Sequence, residues 1–137
     1  LEKMKQLVEA QKGDPRDLDD LELLPRTSVQ VEVLSRKPGF VTGFDTKKAG
    51  QCALVFGAGR VKKSDPVDPA VGLIVKKRIG DTVERNETLA TVFANENSKA
   101  QEASKMFIDS IQISDRQPEP PKLIRDVVTR NQPMTRA

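Results

Sequence analysis

Histidine, tryptophan and tyrosine are absent from the 137-residue chain, and cysteine occurs once, at Cys52. Without histidine there is no Ser-His-Asp triad, no Cys-His pair and none of the usual imidazole ligation of zinc or haem. One cysteine makes no internal disulfide. Set among Ala53, Leu54 and Val55, it reads as a small buried hydrophobe rather than a nucleophile, and it fits a reducing compartment. The five phenylalanines are the only aromatics, so no stacking platform for nucleic acid is evident. No apolar run approaches the roughly 20 residues of a membrane helix, and no signal-peptide pattern opens the chain. The expectation is a soluble cytoplasmic protein with neither membrane nor nucleic acid as partner.

The charge that is present is mixed. Lys and Arg number 23 against 20 Asp and Glu, a net of +3. A pI near 9.1 permits weak attraction to phosphate-rich partners but is the whole case for a nucleic-acid module. At 15.2 kDa there is room for one core, since folding units commonly run to about 100–150 residues.

Along the chain the hydrophobic period changes twice. Leu1, Met4, Leu7 and Val8 form a helical stripe that enters without a start signal and stops at Gly13, ahead of Asp14-Pro15. We read residues 1–12 as the end of a helix belonging to a longer polypeptide. Residues 13–28, with Asp14, Asp17, Asp19, Asp20 and Glu22, read as an acidic connector. Nothing apolar encloses these carboxylates to tune them for acid-base work or to cage a cation.

From Val29 to residue 114 the pattern is β-rich. Val29, Val31 and Val33 alternate with Gln30 and Glu32. Pro38-Gly39 turns into Phe40-Val41-Thr42, and the apolar runs Ala53-Leu54-Val55-Phe56, Leu73-Ile74-Val75 and Leu89 to Phe93 read as further short strands. Ser98 is placed to cap a helix near 98–107, with Ala100, Ala103, Met106 and Phe107 on its packed stripe. Ile108, Ile111 and Ile113 suggest a closing strand. Residues 115–137 form a proline-rich tail, in which Leu123, Ile124, Val127 and Val128 allow one or two amphipathic turns.

Two loops invite chemistry. Gly57-Ala58-Gly59-Arg60 follows an apolar run and carries an anion-friendly composition. A dinucleotide fingerprint would need glycine where Lys62 stands and a helix afterwards, whereas Asp65-Pro66 and Asp68-Pro69 break one. The expectation is structural: Arg60 and Lys63 neutralise Asp65 and Asp68 inside a folded-back loop. The second loop, Gly80 to Leu89, has a Gly80-Asp81 turn, an apolar Val83, a second turn and a strand led by Leu89. This spacing resembles the hammerhead of biotinyl and lipoyl carriers. Asn86 stands where those folds usually place glycine, and asparagine is the residue best able to replace it at positive φ. A carrier needs one lysine framed at a hairpin tip, and none is so framed. Lys76, Lys77 and Arg78 read as a solvated strand end. A free-standing carrier or adaptor module of that topology is the alternative reading.

Gly57-Ala58-Gly59-Arg60, Lys63, Asp65, Asp68, Ala70-Val71-Gly72 and Gly80-Asp81 together resemble the C-terminal domain of the pyrimidine-nucleoside and thymidine phosphorylases. Met4 to Gln11 with Gly13-Asp14, Pro38-Gly39-Phe40-Val41 and Leu89 to Ala94 extend the resemblance to almost all of residues 1–115. Lys12 stands where the family commonly has a second glycine. The resemblance implies an α+β fold built on a small β-rich barrel-sandwich hybrid with flanking helices. It also implies a parent enzyme in which phosphate attacks the anomeric carbon of a pyrimidine nucleoside, releasing base and pentose 1-phosphate. The family's phosphate- and base-binding motifs lie upstream and have no counterpart here. No catalytic, cofactor-binding or metal residue is therefore carried over, and no cofactor is implied. Gly57, Gly59, Arg60, Lys63, Asp65, Asp68, Gly72, Gly80 and Asp81 are assigned to structural loops. The implied partners are upstream domains of the parent chain, phosphate and nucleoside in the parent enzyme only, and a second subunit in a homodimer formed through other parts.

Overall fold

The computed structural model describes residues 1–60, 62–119, 121–124 and 126. Two small antiparallel sheets and three α-helices make an α+β fold. The valine alternation at residue 29 becomes strand β1 (Val29–Leu34), in which Val33 is buried while Gln30 and Glu32 are exposed. It pairs antiparallel with β5 (Thr88–Ala94), setting Val31 opposite Val92 and Val33 opposite Ala90. On the other edge of β5 lies β3 (Gly72–Val75), with Leu73 opposite Val92. Strand β5 is central and is covered on both faces, Ala90, Val92 and Ala94 packing with helical residues such as Cys52, Ala103 and Phe107 and Leu89 packing with Val41 and Val83, so Leu89 through Val92 are all buried.

The second sheet has β2 (Gly39–Phe44) between β4 (Thr82–Val83) and β6 (Ile111–Ser114). Val41, Val83 and Leu89 form a small buried cluster. The two three-stranded sheets stay separate, so the described residues contain no closed barrel. This corrects the barrel element of the expected fold: β4 has two residues and is too short to continue hydrogen bonding around a ring.

A second correction concerns Ala53 to Phe56. These residues end a helix, α2 (Thr46–Val55), and are not a strand. The Asp45 side chain accepts from the Lys48 backbone N–H at 3.0 Å and caps the helix start. Cys52 and Phe56, four apart, then reach the same core one turn after the other. A four-residue apolar run carries too little periodicity to separate the two states.

Helix α3 (Asn97–Ile108) buries Ala100, Ala103 and Phe107 against β1, β5 and α2. Its small residues let the backbone approach the sheet, and Phe107 fills the space beyond. The N-cap is Glu96 without a side-chain cap bond, so Ser98 sits inside the first turn rather than capping it.

Helix α1 (Glu2–Ala10) contributes nothing buried to this core. It lies against a 3₁₀ turn (Pro15–Leu18), followed by a second (Leu21–Leu23), each opened by an aspartate that accepts a backbone N–H two residues on: Asp14 from Arg16, Asp20 from Glu22. Arg16 also donates to Asp14 and holds that carboxyl down to about 2. Leu1, Met4 and Leu7 remain exposed, at 79%, 51% and 53%. Lys12 takes φ 64, and the Gly13 N–H closes the helix onto the Val8 carbonyl at 2.9 Å. Of the tail residues expected to form amphipathic turns, Leu123 and Ile124 are exposed and lie outside any helix. Val127 and Val128 lie outside the described residues.

Candidate functional site

The glycine-rich loop leaves α2 through Gly57, whose φ of +96 explains glycine at this position. It folds back until the Asp68 N–H donates to the Gly57 carbonyl at 3.1 Å. Gly57, Ala58 and Lys62 already donate their N–H groups to Leu54, Ala53 and the Asp65 carboxylate. A phosphate cradle requires such donors to be unoccupied and convergent. The loop is thus a closed structure with its cations, Arg60, Lys62 and Lys63, turned to solvent.

The expected ion-pair centre is not formed as anticipated. Among the described residues no ion pair joins Arg60 to Asp65 or Asp68. Asp68 instead accepts from the Ala70 N–H at 2.9 Å and from Asn95 Nδ2 at 2.7 Å. Asn95 is the residue that sequence reasoning missed. Its Oδ1 accepts from the Ser28 N–H at 3.2 Å while its Nδ2 reaches Asp68, so one side chain ties the loop to the start of β1. The partners lie 67 and 27 residues away, and no local pattern signals them. We expect Arg60→Ala to change stability by no more than the ordinary surface range, about 0.5 kcal/mol, and so to leave the thermal melt nearly unmoved. A large fall in a thermal melt would restore Arg60 as a structural centre.

Gly72 begins β3 opposite Phe93. Gly80 has φ +97 and donates its N–H to the Val41 carbonyl at 2.8 Å, while the Asp81 carbonyl accepts from Val41 N–H at 2.9 Å. This exchange ties the turn to β2, and the Asp81 side chain closes it by accepting from the Arg78 N–H at 2.7 Å. The second turn carries Asn86 at φ 66, where a side chain with left-handed tolerance was expected.

Lys77, expected as a solvated strand end, is instead half-buried. It pairs with Glu87 and donates to the Thr82 carbonyl at 3.0 Å, so it bridges the two sides of the hairpin. Glu87 also accepts from the Glu84 N–H at 2.7 Å. The Lys77 contact, followed by this backbone bond, lowers the Glu87 pKa from its ordinary 4.5. A depressed carboxyl favours the fold above its unfolded-state value, and that contribution is lost as pH falls through the folded value. Thermal melts of Glu87→Gln should therefore show a shallower acid decline below about pH 4.5 than the parent chain. Parallel curves would remove this pair from the acid response.

The Cys52 thiol is buried, donates to the Lys48 carbonyl at 3.1 Å, and has its pKa raised by that burial. It is a packing residue held in the neutral form. No cluster of His, Cys, Asp or Glu that could hold a metal occurs among the described residues. No described helix is long and apolar enough to cross a membrane.

The geometry defines a small α+β domain whose glycine-rich loops are fastened to its own frame. The sequence model of the pyrimidine nucleoside phosphorylase C-terminal domain matches residues 40–114. The chain is 36% identical over 129 residues to the pyrimidine-nucleoside phosphorylases of Bacillus subtilis (strain 168) and Staphylococcus aureus (strain USA300). Each alignment covers 94% of this chain and 29% of the relative. The chain belongs to the pyrimidine nucleoside phosphorylase C-terminal domain family. It spans less than a third of the length of the curated relatives it matches.

Proposed function

We propose that this domain is a structural lobe of a larger pyrimidine-nucleoside phosphorylase and supplies no catalytic group to it. The observation that carries this reading is the family match over residues 40–114, combined with a loop whose Asp65 and Asp68 carboxylates accept from the Lys62 and Ala70 N–H groups and from Asn95. The parent reaction is phosphorolysis: phosphate oxygen bonds to the anomeric carbon, the bond to the pyrimidine nitrogen breaks, and base and pentose 1-phosphate leave. Its oxocarbenium-like transition state needs charge arranged around phosphate and base, and upstream domains are the source of that arrangement.

In this reading residues 1–12 form a helix shared with an upstream domain, and the exposed face of Leu1, Met4 and Leu7 packs on it. Residues 13–28 connect, 29–114 form the β-rich body, and the remainder is tail. Gly57, Gly59, Arg60, Lys63, Asp65, Asp68, Gly72, Gly80 and Asp81 serve loop structure. The Gly80 to Leu89 hairpin resembles the hammerhead of biotinyl and lipoyl carriers, and that resemblance supports a sandwich-like relation to those folds without a closed barrel among the described residues. The parent is a cytoplasmic homodimer joined through other parts.

The test is the longer gene product that contains this chain, purified and mixed with uridine or thymidine. Base release that requires added phosphate is expected. A pure, folded product with no phosphate-dependent release would overturn the assignment.

A further inference from the structure

Two adjoining grooves meet beside the Arg36–Asp109 ion pair. The first, about 410 Å³, is lined by Arg85, Asn86, Ser104 and Lys105 over a floor that includes Val33 and Ile108. The second, about 470 Å³, continues along Lys37, Ile108, Ile111 and Ile113. Together they carry the cations Arg36, Lys37, Arg85 and Lys105 against the carboxylates Glu32 and Asp109. Both carboxylates are already engaged, Asp109 by Arg36 at 2.9 Å and Glu32 by Lys76 at 3.7 Å. Lys37, Arg85 and Lys105 have no carboxylate partner among the described residues.

We propose that this trough docks an acidic polypeptide segment from another chain, one with apolar residues set between its carboxylates. The uncompensated cations select negative charge, and Ile108, which lines both grooves, with Ile111 and Ile113 in the second, selects apolar side chains. An inorganic anion would gain nothing from that floor. A single-stranded nucleic acid would find no aromatic in the lining on which to stack its bases. Arg85 and Lys105 are exposed, so they are free to act on a partner and can be replaced without disturbing the core. The proposal is independent of the phosphorylase reading.

The test uses the 137-residue chain and a fluorescein-labelled peptide in which glutamate pairs flank a leucine pair, followed by anisotropy. Saturable binding that weakens with salt is expected. Arg85→Ala with Lys105→Ala should weaken it about tenfold, whereas the charge-matched Lys62→Ala with Lys63→Ala should leave it within about twofold. Replacing the leucines by serine should also weaken binding. Four results would overturn the proposal. One is no binding, and another is equal loss in both double variants, which would mean a diffuse field. The others are indifference to the leucines, or tighter groove binding by inorganic phosphate or an RNA oligonucleotide.

Discussion

Phe107→Ala is expected to destabilise the chain by about 3–5 kcal/mol, the usual range for deleting a buried aromatic ring from a core. The residue is 1% exposed and shares its cluster with Val33, Val92, Ala100 and Ala103. The buried residues one and two turns before it on α3 are Ala103 and Ala100, which have no side chain long enough to collapse into the space the ring would leave. A domain's whole stability is only about 5–15 kcal/mol, so this one change removes a large part of it. In a thermal melt the midpoint should fall by well over about 10 °C, or the transition should lose its cooperativity. The half-buried Met106, next in the chain, should tolerate alanine much better. Equal effects at the two positions would mean that α3 is not seated on the sheet as described.

Gly39→Val is expected to disrupt the second sheet. Gly39 has φ +145, and a Cβ built there would stand 2.7 Å from the Ser114 carbonyl oxygen and 2.9 Å from Ile113 Cγ2. The oxygen is backbone of the neighbouring strand, so no rotamer change relieves the contact. Strand β2 would have to part from β6, loosening the cluster of Val41, Val83 and Leu89. Backbone strain of this kind costs on the order of 1–3 kcal/mol before any packing is lost. Gly50 is the internal control: it lies in α2 with nothing within 4 Å of a built Cβ. Gly50→Ala should raise stability by about 0.5–1 kcal/mol. Chemical denaturation of both variants checks the contrast, and a neutral Gly39→Val would contradict the assigned pairing.

Much of this architecture was legible where a local rule acted alone. The alternation at Val29 to Val33 specified β1, and the alanine stripe specified α3 to within a residue or two. The hairpin requirement at residue 86 was met by an asparagine at φ 66. Legibility ended where distant residues decided the outcome. Asp68 was readable as an acceptor, but its partner Asn95 stands just past the end of β5. Lys77 was misread because its burial depends on Glu87 across the hairpin. Ala53 to Phe56 was misread because the Asp45 cap, eight residues before Ala53, commits the segment to helix. The family resemblance carried the functional reading further than any single residue could, since no side chain in the described structure forms a nucleophile-base pair.

On the proposed reading, this domain contains no active site of its own. The direct measurement is base release from uridine or thymidine by the purified 137-residue chain in excess phosphate, followed by absorbance. A folded protein, verified by a cooperative melt, with no release above the buffer blank at any phosphate concentration is expected. Phosphate-dependent turnover that copurifies with the chain through a second column would contradict it.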